Sequence, residues 1–303
     1  MLSLLVLGTV FTIVAQALAL PAPALYVPER VFDTRGKTFS DFEVMLADLA
    51  QADVILVGEQ HDDPNTHRLE AAMLQGLQRR RAGVTVSLEM FERDVQGTLD
   101  AYLAGRVTEE EFLKLSRPWP RYATDYRDLV EFARSQQWPV IASNVPRRLA
   151  SEVSKGGESA LASVKSSEPT FTAREMQCPR DAYFDRFSAE MSKHPAPGAE
   201  KLSDDVKRAT TARYYLSQCL KDETMAESIA AEIARPAGKS RTIVHFNGAF
   251  HSDFGGGVAE RVRRRLPGRR VAVVTMLPVT DLDAVAPAAE DLKRADYLVY
   301  TQK

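Results

Sequence analysis

The sequence is poor in several features, and each shortage narrows what the protein can be. Two cysteines without a partner motif do not make a zinc site. The formal net charge is -2, so no basic excess indicates nucleic-acid binding. After the first 20 residues, no stretch approaches the ~20 apolar residues that a membrane span needs. What remains is an ordinary globular composition, with 45% hydrophobic and 26% charged residues.

The N-terminal segment is the one long apolar run, and it ends in Ala17-Leu18-Ala19. This small-x-small ending predicts that residues 1–20 are a signal peptide cleaved after Ala19. No Lys or Arg precedes the run, which an uncleaved membrane anchor would also explain. We therefore expect an exported protein, either periplasmic or associated with a membrane through this segment. In such an oxidising compartment Cys178 and Cys219 can form a disulfide, and the sequence leaves that pairing open.

Short apolar runs alternate with amphipathic segments along residues 27–303, which predicts a single α/β domain with a largely parallel sheet flanked by helices. The predicted strands cover residues 53–58, 84–88, 139–143, 241–246 and 271–276, with an edge strand at 297–300. The predicted helices cover residues 64–81, 108–115, 125–137 and 257–266. Residues from about 148 to 235 contain no convincing strand and predict a helical insertion outside the sheet.

Polar and charged side chains follow four of the predicted strands. In open α/β sheets, ligands bind beyond the carboxyl ends of the strands, so these side chains are expected to converge on one cleft. The residues concerned are Glu59, His61, Glu89, Asn144, Arg147, Asn247 and His251. Several also have ordinary structural explanations: Glu89 and Asn144 suit helix N-termini, and Arg147 suits a solvated surface.

Two of these loops share the pattern Gly-x-x-His, at Gly58 to His61 and at Gly248 to His251. Glycine permits a tight turn after the strand, and imidazole is both a common metal ligand and an acid or base. If the protein is an enzyme, the predicted catalytic residues are Glu59, His61, Glu89, Asn247 and His251. In the metal-dependent version, His61 and His251 bind a divalent metal ion with Glu59 or Glu89.

The blocks at residues 57–67, 88–93, 125–147, 222–226 and 247–251, taken in order, resemble the ChaN-like haem-binding uptake family of the wider Tiki, TraB and erythromycin-esterase-like superfamily. The resemblance covers about residues 30 to 280. It implies a haem-binding protein of haem and iron uptake, with haem held between two subunits through tyrosine, and therefore a homodimer. The wider relatives include hydrolases, so the resemblance leaves enzymatic activity open. A binding module without chemistry is the third alternative.

Haem binding would involve the helical insertion, which supplies candidate phenolate ligands for ferric iron. Tyr183 is the first choice because Arg180 and Arg186 lie three residues to either side, and Tyr214 and Tyr215 are the reserves. The candidate cofactor-binding residues are Tyr183, Tyr215, His194 and Arg147, the basic ones facing the haem propionates.

Overall fold

The computed structural model describes residues 27–193, 202–236 and 242–303. The predicted signal peptide and His194 lie outside these described residues. The strands are β1 (Glu29–Asp33), β2 (Thr38–Ser40), β3 (Val54–Glu59), β4 (Val84–Glu92), β5 (Val140–Asn144), β6 (Thr242–Gly248), β7 (Val271–Val279) and β8 (Tyr297–Gln302). The helices are α1 (Phe42–Leu49), α2 (Pro64–Gln78), α3 (Gln96–Leu103), α4 (Glu109–Ser116), α5 (Arg127–Ser135), α6 (Arg147–Ser167), α7 (Ala182–Lys193), α8 (Asp204–Ala234) and α9 (Gly257–Arg265).

The eight strands form one sheet in the order β2-β1-β8-β7-β3-β6-β4-β5. Strands β3 to β8 pair in parallel with one another, and only β1 pairs antiparallel, with β2 and with β8. The expected α/β architecture with a largely parallel sheet is confirmed. The central strand β3 is buried at all six positions, which is typical of a parallel strand covered on both faces.

The N-terminal hairpin corrects one expectation. The run at 297–300 does not form an edge strand, because β1 pairs with β8 on its outer side and β2 lies beyond β1. β1 and β2 were not predicted, since strands of five and three residues with partly exposed side chains carry little hydrophobic pattern.

The helical segment from α6 to α8 is less separate from the sheet than the sequence suggested. The C-terminal half of α8 packs on the sheet, where Met225 and Ile229 join a core with Leu56 of β3 and Ile243 of β6. The rest of α8 pairs with α6 around Leu216 and Leu220. One helix therefore belongs both to the insertion and to the layer that covers the sheet.

Two local signals in the sequence are confirmed by the helix termini. The Thr108 side chain accepts from the Glu111 backbone, and the Glu111 side chain accepts from the Thr108 backbone, which is the expected capping box at the start of α4. Pro64 occupies the first turn of α2. Among the residues that the structure describes, no helix combines the length and apolar character that a membrane span requires.

Cys178 and Cys219 form a disulfide that ties the segment before α7 to α8, with their Cα atoms 5.7 Å apart. We expect the double variant Cys178→Ala/Cys219→Ala to lose about 4 kcal/mol of unfolding free energy, because the bond closes a loop of 41 residues. Urea denaturation of both proteins measures the difference. Two free thiols titrated in the native wild-type protein would contradict the bond itself.

Candidate functional site

The sheet order places β3, β6, β4 and β5 side by side, so the four predicted polar strand ends are neighbours. Their side chains meet in a cavity of about 240 Å³, here called the strand-end cleft. It is lined by His61, Glu89, Glu92, Trp119, Asn144, Val145, Arg147, Lys221 and His251. The convergence that the strand positions predicted is therefore present, although the role of each residue stays a prediction.

Glu59 and His61 form the first half of the site. Glu59 ends β3 and is 1% exposed, and its Oε1 accepts hydrogen bonds from His61 Nδ1 at 2.6 Å and from the Tyr126 hydroxyl at 2.7 Å. A π-helical turn at Tyr122–Tyr126, directly before α5, brings Tyr126 to this carboxylate. The imidazole of His61 is thus oriented by a carboxylate while its side chain remains 47% exposed toward the cleft.

Glu89 and His251 form the second half. After Leu88 the register between β4 and β5 shifts, and such irregularities re-aim side chains. Glu89 Oε2 accepts from the Gly248 backbone at 2.8 Å, and Glu89 Oε1 lies 3.3 Å from His251 Nε2. The other ring nitrogen of His251 contacts Asp222 Oδ1 of α8 at 2.5 Å.

The glycine of the second Gly-x-x-His loop is required by the approach of His61. A Cβ at Gly248 would lie 2.7 Å from His61 Nε2, which is closer than packed atoms allow. The first glycine, Gly58, is similarly confined, because a Cβ there would lie 2.9 Å from the Cα of Ala249. The shared pattern thus reflects two strand ends packed against each other's loops.

Charges in this buried site compensate one another. Burial alone would lower the pKa of His251, but Glu89 and Asp222 raise it to about 10, so this imidazole is protonated at neutral pH. Burial alone would raise the pKa of Glu89, yet the charge and hydrogen bond of His251 hold it well below its ordinary value. Burial alone would lower the pKa of His61, but its hydrogen bond to Glu59, together with the negative charges of Glu59 and Glu89, raises it.

The predicted metal pair is not favoured by this geometry. Both ring nitrogens of His251 lie against carboxylates and the ring is protonated, so neither nitrogen offers a lone pair to a metal ion. Among the described residues, the group with ligand atoms close enough to share an ion is Glu59, His67 and Glu70, which lies behind the cleft and includes neither His61 nor His251.

The two asparagines predicted at the strand ends, Asn144 and Asn247, have different contacts. Asn247 is fully buried, and its Nδ2 donates to the Gly248 carbonyl and to Ser252 Oγ, so it stabilises the loop instead of facing the cleft. Asn144 lines the cleft, and its Nδ2 donates to the Glu89 carbonyl. Its Oδ1 accepts from the Val145 backbone before α6, whose N-cap is Pro146, so Asn144 does not cap this helix.

Tyr183 and Tyr215, two of the predicted haem ligands, are buried, and their hydroxyls are engaged in hydrogen bonds within the chain. Each is 3% exposed. The Tyr183 hydroxyl donates to Asp222 Oδ2 at 2.9 Å, and burial together with Asp222 raises the Tyr183 pKa well above its ordinary value. The Tyr215 hydroxyl donates to the Pro179 carbonyl at 2.8 Å. The expected flanking by two arginines is half present, since Arg186 lies over the Tyr183 ring and Arg180 over Phe184.

A second cavity, of about 380 Å³, opens between α6, α7 and α8 and is here called the Tyr214 cleft. It is lined by Arg147, Ala150, Ser151, Ser154, Phe187, Tyr214, Ser217, Gln218 and Lys221. Arg147 and Lys221 line both clefts, so the two cavities adjoin. Within the described ranges, neither cation forms an ion pair, and the Tyr214 hydroxyl has no hydrogen-bond partner.

Sequence reasoning missed Asp222, Tyr126 and Lys221 as site residues. Asp222 and Tyr126 lie inside the sequence blocks that carry the family resemblance, and this position was the one indication in the sequence that they belong to the site. Asp222 is fully buried in the middle of a long helix, which a carboxylate tolerates only with a partner such as His251. Lys221 carried no signal, because an isolated lysine on a polar helix is ordinary.

Comparison with solved structures places the fold. ChaN of Campylobacter jejuni, in a structure with cofacial haem binding, superposes with a TM-score of 0.66 at 16% identity, covering 91% of this chain and 97% of that chain. An erythromycin esterase in its open conformation gives a TM-score of 0.48 at 13% identity, covering 91% and 83%. A Bacillus cereus protein gives 0.49 at 11% identity, covering 86% and 90%.

No curated protein matches this chain in sequence. A family model described as haem-binding uptake, Tiki superfamily, ChaN matches residues 45–262, which include both Gly-x-x-His loops, Glu89, Asp222 and the Tyr214 cleft. With most of its length matched, including both clefts, this chain belongs to the ChaN haem-binding uptake family of the Tiki superfamily.

Proposed function

We propose that this protein binds haem in the Tyr214 cleft, with Tyr214 as the axial ligand to ferric iron. The observation that carries the proposal is a half-buried tyrosine whose hydroxyl has no hydrogen-bond partner among the described residues, in a cleft with two unpaired cations. Tyrosinate is a known haem ligand. Family membership and the haem-bound ChaN of Campylobacter jejuni support the choice of ligand.

The cations Arg147 and Lys221 contribute in two ways. A free tyrosine has a pKa of about 10, so iron must displace its proton, and nearby positive charge favours the phenolate. The same cations suit the two propionates of haem, because guanidinium and ammonium groups form strong hydrogen bonds with carboxylates. Phe187 and Ala150 provide apolar surface for the macrocycle.

A haemin titration followed by absorbance tests this assignment. Wild type is expected to show a saturable Soret shift and a tyrosinate charge-transfer band. Tyr214→Phe should lose the band and bind at least roughly tenfold more weakly, because an interaction of about 1.5 to 3 kcal/mol with a charged group is removed.

Tyr215→Phe is the matched control, since it removes the hydroxyl of the adjacent buried tyrosine, and it should keep the band. Haemin dimethyl ester, which lacks the propionate charges, should bind Arg147→Gln and wild type alike. The band persisting in Tyr214→Phe would exclude this ligand, and no saturable shift in wild type would exclude haem binding.

We propose further that haem is cargo for iron uptake outside the cytoplasm, and that a homodimer carries it. The Cys178–Cys219 disulfide supports an oxidising compartment, and the apolar segment at residues 1–20 supports export. Fractionation of the native host should find the protein in the periplasm or at a membrane, and sedimentation should detect a dimer when haemin is present. A cytoplasmic protein that stays monomeric with haemin contradicts this proposal.

A second candidate function is hydrolysis at the strand-end cleft, and the geometry of His61 favours it. Its Nδ1 is held by Glu59, the half-exposed ring lines the cleft, and Nε2 has no hydrogen-bond partner among the described residues. An imidazole oriented by a carboxylate is the arrangement of a general base. This is acid–base chemistry, not the metal chemistry first expected of His61 and His251.

Hydrolysis of an activated ester such as p-nitrophenyl acetate tests this second candidate. His61→Gln should lower the rate by roughly 10²-fold or more, because the general base is lost while the neutral side chain remains polar. Glu92→Gln is the control, since Glu92 lines the same cleft but pairs with Arg117 at the surface. Equal rates in wild type and His61→Gln would contradict a role for His61 as the base.

A further inference from the structure

Behind the strand-end cleft lies a group of titratable side chains, here called the buried cluster, and apart from Glu59 neither proposed function uses them. It consists of Glu59, His67, Glu70 and Asp125, each between 0% and 4% exposed. The two carboxylate oxygens of Glu59 have different neighbours. Oε1 accepts hydrogen bonds from His61 and Tyr126, whereas Oε2 lies toward His67. His67 and Glu70 are one turn apart on α2, so they share a face of that helix.

The donor atoms of three of these residues converge. His67 Nδ1 lies 3.0 Å from Glu70 Oε2 and 4.0 Å from Glu59 Oε2. One ligand atom from each of Glu59, His67 and Glu70 lies within 4.8 Å of the other two. The opposite nitrogen of His67, Nε2, lies 3.3 Å from the His61 carbonyl and 3.5 Å from Asp125 Oδ2. The ring is therefore held with Nδ1 turned toward the two glutamates.

Each of the two glutamates has one carboxylate oxygen without a hydrogen-bond partner, which is the second and independent observation. Glu59 Oε2 and Glu70 Oε1 are both buried, and neither has a hydrogen-bond partner within the described part of the chain. A buried unsatisfied acceptor costs about 1 to 3 kcal/mol, and more when it is charged. Asp125 is compensated by Arg121, whose Nε lies 2.6 Å from Asp125 Oδ2, but no lysine or arginine of the described residues forms an ion pair with Glu59 or Glu70.

A proton and a metal ion are the two species that can relieve this arrangement. Burial and the neighbouring Glu59 raise the pKa of Glu70 well above its ordinary value, so a proton on Glu70 can bridge the two carboxyl groups. A proton on Glu70 satisfies only the contact between the Glu59 and Glu70 carboxyl groups. A divalent cation would take an oxygen from each glutamate and the lone pair of His67 Nδ1, and it would neutralise both charges.

We propose that Glu59, His67 and Glu70 form a binding site for a divalent transition-metal ion of the Mn²⁺, Fe²⁺ or Zn²⁺ class. One imidazole nitrogen with two carboxylates selects this class over Mg²⁺ or Ca²⁺, which prefer oxygen ligands alone. The site does not include His61 or His251, although Glu59 Oε1 accepts a hydrogen bond from His61, and it shares no residue with the Tyr214 cleft. It lies on α2 and at the end of β3, so a bound ion ties helix to sheet directly beneath His61.

Manganese binding by the full chain tests the proposal. Protein stripped with a chelator is equilibrated with MnCl₂, freed of excess metal by gel filtration and analysed for manganese per chain, and its melting temperature is measured with and without MnCl₂. Wild type is expected to retain one Mn²⁺ per chain and to melt higher when loaded. Glu70→Gln should retain less than a tenth as much and lose the metal-dependent rise, while melting no lower than stripped wild type because the glutamate repulsion is relieved.

Two further variants serve as controls for manganese binding. Glu232→Gln changes a buried glutamate of α8 that pairs with Arg235 outside the cluster, and it should bind manganese like wild type. His61→Gln should also bind, because His61 belongs to the strand-end cleft. No manganese in wild type, equal retention in Glu70→Gln, or loss in His61→Gln with retention in Glu70→Gln would each overturn the proposal. Tyr214→Phe should retain manganese, so failure of haem binding and failure of this site are distinguishable.

Discussion

The interaction on which the site depends is the contact of His251 with two carboxylates, Glu89 from β4 and Asp222 from α8. An ionised carboxylate in the interior is tolerated only when a charge or several hydrogen bonds compensate it. His251 supplies that charge to both, and the Gly248 backbone supplies a further hydrogen bond to Glu89. Three elements distant in sequence are thereby held at one point. Moving the loop after β6 would separate these charges, and a hydrogen bond from Asn247 to Ser252 further stabilises the loop.

Helix α8 connects the two halves of the molecule through this contact. Its C-terminal half packs on the sheet, its middle supplies Asp222, and its N-terminal half carries Tyr214 and, through Cys219, the disulfide. A single helix therefore contacts the insertion, the strand-end cleft and the sheet. Tyr183 takes part in the same arrangement, since its hydroxyl donates to the Asp222 carboxylate that holds His251. The burial of Tyr183 places its hydroxyl on Asp222, and for the same reason this hydroxyl is not exposed to a ligand at the surface.

The two clefts share Arg147 and Lys221, and this has a consequence for both proposed functions. A dianionic ligand in the Tyr214 cleft would attract both cations and alter the charge at the mouth of the strand-end cleft. His61 and His251 are each held by carboxylates, so their positions do not depend on Arg147 or Lys221. Ligand binding and acid–base chemistry can thus coexist on one chain, since they rely on different buried contacts and meet only at two flexible side chains.

The sequence by itself determined the parallel α/β core and most of the strand-end residues. Fully apolar runs such as β3 have to be buried on both faces, and polar residues directly after them collect at one edge wherever the strands are neighbours. The sequence could not determine that β8 lies inside the sheet, because a hydrophobic run does not specify which strand covers its outer side. It also could not tell the buried Tyr215 from the accessible Tyr214, since adjacent helix residues differ in exposure only through what packs against each face. Asp222 and Tyr126 entered the site for the same reason: their partners are far away along the chain, and only the folded contacts brought the charges together.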